Sequence, residues 1–172
     1  MDTSLYTLDT LAFTRLGEQR AGELTVSQLS RATEGLPSQK DQVFTWSAQG
    51  RVDSTGRAFI HLKIDGYMML SCQRCMKPMQ WPVQVDNHLE VVTTEAELDL
   101  DEEDVEGPDR ILASTRFDLF ELIEDEIILA LPYVARHDEC PSLPEGYPQE
   151  DEPDFTSDKP NPFAVLSKLK KP

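Results

Sequence analysis

A chain of 172 residues is long enough for one ordinary domain with a buried core, plus tails. Its formal net charge of -16, from 16 Lys and Arg against 32 Asp and Glu, argues against a stand-alone binder of nucleic-acid phosphate. No stretch approaches the ~20 consecutive apolar residues that span a bilayer, and the opening MDTSLYTLDTLAF lacks the basic start and apolar run of a targeting segment. Three cysteines, an odd number, argue against a disulfide framework, and the expectation is a cytoplasmic protein in a reducing compartment.

In chain order, Asp9 is placed to cap a short turn through LAFTRL, and QRAGEL reads as a brief extended segment around Gly22. In TVSQLSRATEGLP, Thr25 and Gln28 have capping-box spacing. Val26, Leu29 and Ala32 follow at helical intervals and Gly35 is placed as a stop, so a helix of two to three turns is predicted. From Gln42 the apolar period becomes two: Phe44, Trp46 and Ala48 share a face, as do Ala58, Ile60, Leu62 and Ile64, and then Val83, Val85, Leu89 and Val91. GRVDSTG reads as the first turn between strands. Asp65-Gly66 reads as a second, of the two-residue type I′ kind, ahead of YMML.

The residues from 95 to 109, EAELDLDEEDVEGPD, hold nine acids and no Lys or Arg, and read as a solvated acidic loop. FDLFELIEDEIILALP then predicts a helix capped by Asp118 and Glu121, with Phe120, Ile123, Ile127 and Leu131 on an apolar stripe and Pro132 as its end. Glu121, Glu124 and Asp125 would form its acidic outer face. Residues 138–158 hold eight acids and no base and read as a flexible linker. Outside these two segments the acids and bases nearly balance, so the acidity is local. KPNPFAVLSKLKKP places Asn161 at an N-cap, Pro162 at the first helical position and Phe163, Leu166 and Leu169 on one face, a short basic amphipathic helix.

The predicted fold is α+β: an antiparallel β-meander of about four strands, covered on one face by helices, with an acidic loop and a flexible C-terminal tail. The expected boundaries are a single domain over 1–137, with the acidic loop at 95–110, a linker over 138–158 and a tail helix over 159–172.

SCQRCMKP at 71–78 is the one stretch with metal or redox character. Its plainest reading is two small, half-buried thiols at a strand-to-strand turn, with Arg74 exposed between them. Zinc needs four ligands, and the second half could come only from His137 and Cys140. That makes Cys72, Cys75, His137 and Cys140 the candidate set, although nothing local brings the halves together. A redox pair would want a helix N-terminus, where this pair has a turn ended by Pro78.

His61 and His88 fall on polar strand faces without a nucleophile beside them, and no Gly-rich phosphate loop is present, so no enzyme is expected. Direct RNA binding would draw on Arg51, Arg57, His61, Lys63, Arg74, Lys77 and Trp81, a sparse set.

Three passages, CQRC at 72–75, EDEIILALP at 124–132 and KPNPFAVLSKLK at 159–170, together resemble the YceD family of large ribosomal RNA subunit accumulation proteins. The resemblance implies ribosome biogenesis: a non-enzymatic role in synthesis, processing or stability of large-subunit (23S) rRNA. The implied partners are a pre-ribosomal particle, the rRNA or its processing proteins, with no membrane and no small-molecule substrate. It singles out Cys72, Arg74, Cys75, Glu124, Asp125, Glu126, Asn161, Pro162 and Phe163, without assigning them roles. Some members look richer in cysteine after the helix than this chain, which has only His137 and Cys140 there. That departure weakens metal binding here, so no cofactor is expected, with zinc as the alternative, in a small zinc-binding or redox-sensing protein that affects rRNA indirectly.

Overall fold

The computed structural model describes residues 3–39, 42–98 and 107–140. The chain divides into a unit of Met1–Cys140 and a second of Pro141–Pro172. Most of the expected linker and all of the expected tail helix, with Asn161, Pro162 and Phe163, lie outside the described residues.

The chain opens with a short helix α1 (Thr3–Tyr6), a two-residue strand β1 (Thr7–Leu8) and helix α2 (Thr10–Leu16). Asp9 caps α2 by accepting from the Ala12 N–H at 2.9 Å. Strand β2 (Gln19–Thr25) follows and pairs with β3 (Val43–Val52), so the expected extended segment is a full edge of the sheet. Next come β4 (Ala58–Ser71) and β5 (Pro78–Val92). The four strands β2-β3-β4-β5 form the antiparallel meander, and β6 (Arg110–Leu112) adds a fifth, parallel to β5. A second, small sheet pairs β1 with β7 (Phe117–Asp118), which leads into helix α4 (Leu119–Ala130).

The period-two pattern sets the core. Phe44, Trp46 and Ala48 of β3, Ile60, Leu62 and Ile64 of β4, and Val83, Leu89 and Val91 of β5 are buried together. They lie in one cluster with Phe13 of α2 and Leu119, Leu122, Ile123 and Ile127 of α4, so the helices cover one sheet face. Each large apolar side chain withdrawn from water there contributes about 1.5–3 kcal/mol. Gly50 allows the close approach of α2, because a Cβ at that position would overlap the Phe13 backbone. Among the described residues no helix is long and apolar enough to cross a membrane.

Four local expectations are corrected. The turn signal Asp65-Gly66 makes no turn: β4 runs straight through it, with Asp65 opposite Gln84 and Gly66 opposite Val83. Gly66 sits in the inward phase of β4, and a Cβ there would overlap the Phe44 ring, so its glycine serves packing and not a hairpin.

The helix predicted from Thr25 is a single 3-10 turn, Val26–Gln28, followed by irregular turns. Gln28 does reach back to the Thr25 N–H, at 2.9 Å. Beyond it, however, the N–H groups of Arg31 and Ala32 donate to the Glu124 carboxylate, at 2.8 and 3.2 Å, and not to carbonyls of a helix.

The same carboxylate overturns the expected acidic outer face of α4. Glu124 is only 3% exposed and also accepts from Arg31 Nε at 3.0 Å. Finally, the acidic loop starts as a one-turn helix α3 (Glu95–Leu98), whose Glu97 accepts from the Thr93 and Thr94 N–H groups. Residues 99–106 lie outside the described part.

Candidate metal centre

The turn that joins β4 to β5 is the cysteine loop itself, Cys72 to Lys77, closed below by the pair Ser71–Pro78. Cys72 continues the inward phase of Ile60, Leu62, Ile64, Met68 and Leu70 one step past the strand end, which buries its thiol. The loop is tight: the Cys72 N–H donates to the Lys77 carbonyl and the Met76 N–H to the Cys72 carbonyl, each at 2.9 Å. Met76 completes it in the left-handed region, φ 59°, which non-glycine residues seldom adopt. That geometry turns Cys75 to the same side as Cys72, and both are buried.

The other half arrives from the end of α4. Leu131 is extended and Pro132 prevents continuation, so the chain leaves the helix and passes back over the loop. Ala135 is buried, and its carbonyl accepts from the Gln73 N–H at 2.8 Å, which aligns the two segments backbone to backbone. Two residues on, His137 Nδ1 lies 3.5 Å from Cys75 Sγ, and Cys140 Sγ lies 3.7 Å from Cys72 Sγ. One donor atom from each of Cys72, Cys75, His137 and Cys140 falls within 4.8 Å of all the others. All three cysteines are free thiols.

The surroundings favour thiolate at Cys72. Cys72 Sγ accepts the Arg74 N–H at 3.4 Å and the His137 N–H at 3.5 Å. Burial opposes its ionisation, but the backbone groups of Cys75, His137 and Arg74 outweigh it and bring the pKa down to about 5. Cys75 moves the other way: burial pushes its thiol up, and the neighbouring Cys140 and Cys72 add to the effect. Arg74, expected to stand exposed, is instead half-buried across the cluster. Its Nε is 3.0 Å from Cys140 Sγ, and its Nη2 donates to the carbonyls of His137 and Asp138 at 3.4 and 3.5 Å.

The remaining sequence candidates belong to other parts of the molecule. On α4, Glu124 anchors the turns after β2, and Asp125 pairs with Arg31 Nη1 at 2.7 Å. Glu126 accepts from Asn87 Nδ2 at 3.2 Å, and its pKa is raised, chiefly by burial. Sequence reasoning missed Arg31 and Asn87. Asn87 carried a readable signal, because it is the one polar residue in the inward series Val83, Val85, Asn87, Leu89, Val91 of β5.

A second group of ligand-type residues, His61, Asp86 and His88, lies on the open sheet face. His61 and His88 are direct cross-strand partners with rings stacked at 3.9 Å, and Asp86 bridges His61 Nε2 at 2.5 Å and Lys63 Nζ at 2.9 Å. Burial lowers the His88 pKa, and the charges of His61 and Arg51 reinforce the shift.

Together these elements define a small α+β protein whose four-strand meander carries, at its β4–β5 turn, a partly buried Cys/His cluster closed by the segment after its main helix. The family model described as large ribosomal RNA subunit accumulation protein YceD matches residues 60–170, and the chain belongs to that family. The match takes in the cysteine loop, α4 and the segment that follows. A relative of the same description from Haemophilus influenzae is 33% identical over 103 residues, 59% of this chain and 59% of the relative. The chain thus spans about three fifths of the length of that curated relative. No solved structure matches the chain.

Proposed function

We propose that the protein supports accumulation of large-subunit (23S) rRNA, acting without catalysis by binding a pre-ribosomal particle or the proteins that process it. The observation that carries this reading is the family match, which runs through both the cysteine loop and α4. The geometry is consistent with a binding scaffold. Among the described residues, the carboxylates nearest to forming a site are already engaged: Glu124 with the backbone of Arg31 and Ala32, Glu126 with Asn87, and Asp86 with His61 and Lys63. Buried or ion-paired carboxylates of this kind hold structure, whereas general acid–base chemistry needs them free to exchange protons with a bound substrate. Depletion of the protein is expected to lower mature 23S rRNA relative to 16S rRNA, and re-expression of the whole chain to restore the ratio. An unchanged ratio under both fast and slow growth would overturn the proposal.

A further inference from the structure

We propose that Cys72, Cys75, His137 and Cys140 form a structural zinc site, a feature that stands or falls separately from the rRNA reading. Two of the six donor–donor edges match those around a single tetrahedral ion, and all four donors lie within 4.8 Å of one another. With Zn–S near 2.3 Å and Zn–N near 2.0–2.1 Å, the edges of a tetrahedron are about 3.8 Å between sulfurs and about 3.6 Å between sulfur and nitrogen. The observed separations are 3.7 Å for Cys72–Cys140 and 3.5 Å for Cys75–His137.

Three thiolates and one imidazole are soft and borderline ligands. That set selects zinc over magnesium or calcium, which take oxygen. All four ligands come from the protein and two of them are buried, so the coordination is closed, as in structural and not catalytic sites.

The surroundings complete the site. Zinc with three thiolates and a neutral imidazole carries one net negative charge, and the Arg74 guanidinium is placed against Cys140 Sγ to offset it. The Arg74 and His137 N–H groups aimed at Cys72 Sγ supply the hydrogen bonds that orient a metal-bound thiolate. Binding releases the thiol protons. It also links two segments 62 to 68 positions apart, fixing the chain after α4 onto the β4–β5 hairpin, where a metal clip across a long loop has most to stabilise.

The test uses the intact chain, purified without chelator and analysed for metal by mass spectrometry. About one zinc per chain is expected, as a single four-ligand site requires. The metal-stripped chain titrated with Co2+ should saturate at one equivalent, with the charge-transfer and visible bands of tetrahedral cobalt–thiolate coordination. Cys140→Ser removes a ligand at the edge of the fold and should lose most of the metal while keeping its far-UV circular dichroism. Arg74→Ala should keep the stoichiometry but bind about 10–100-fold more weakly, the usual effect of losing an outer-shell partner. A folded, metal-free chain that titrates three free thiols and takes up neither zinc nor cobalt would overturn the proposal. So would a native Cys72–Cys140 disulfide, or Cys140→Ser protein with undiminished zinc.

Discussion

Two regions of this molecule gather metal-ligating residue types, and they differ in nearly everything else. His61, Asp86 and His88 meet because β4 and β5 put them side by side; they face outward, and Lys63 shares their carboxylate. Cys72, Cys75, His137 and Cys140 meet only because Pro132 ends α4 and the Gln73–Ala135 bond lays the following segment across the hairpin turn. The first group is what strand register delivers without further design, a polar ladder worth little in water. In the second, two of the four residues are buried and two are half-buried, they come from distant segments, and donors are aimed at sulfur. Residue type alone does not separate the two groups; partial burial and the surrounding donors do.

Perturbing the two regions should give very unequal results. Stripping metal from the cysteine cluster should have the largest effect. At free zinc a thousandfold above its dissociation constant, linkage contributes about 4 kcal/mol, so chelator should lower the urea midpoint of the intact chain clearly and reversibly. Next is Glu124→Ala, which removes the buried acceptor of the Arg31 and Ala32 N–H groups. A loss of about 3 kcal/mol is expected by chemical denaturation, with the metal content unchanged.

Asp86→Asn, on the open ladder, should have the smallest effect and should betray itself by pH. His61 and Lys63 hold the Asp86 carboxyl at about 2, below its ordinary value. A depressed carboxylate stabilises the fold above the unfolded pKa of ~3.9 and loses that contribution as pH falls toward 2. The gap in urea midpoint between the native chain and Asp86→Asn should therefore be present at neutral pH and close between about pH 4 and 2. A large, pH-independent loss in Asp86→Asn would break the contrast between the two regions.

The sequence was most legible where one repeating pattern decides the outcome. The inward series Phe44, Trp46, Ala48 and Ile60, Leu62, Ile64 is buried as its period requires, and Asp118 caps α4 as its spacing requires, accepting from the Phe120 N–H at 2.9 Å. It misled where a local signal was overruled by a distant partner. Asp65-Gly66 has turn chemistry, but Gly66 is claimed by the Phe44 ring. Val26, Leu29 and Ala32 have helical spacing and are all buried, yet the backbone around Arg31 is satisfied by Glu124, 93 positions away.

The cysteine loop was half legible. Its pair of thiols could be read directly, and the four candidate ligands could be named, but their meeting depends on the path of the chain after Pro132, which no periodicity encodes. For Arg74, a charged residue in a turn, the sequence alone predicts exposure. Its engagement with Cys140 Sγ follows only once Cys140 is in place.

The most direct test of the central claim is zinc K-edge X-ray absorption on the intact protein. A first shell of three sulfurs near 2.3 Å and one nitrogen near 2.0 Å is expected, with most of the zinc signal lost in Cys140→Ser. A shell dominated by oxygen and nitrogen, or protein that carries no zinc at all, would contradict it.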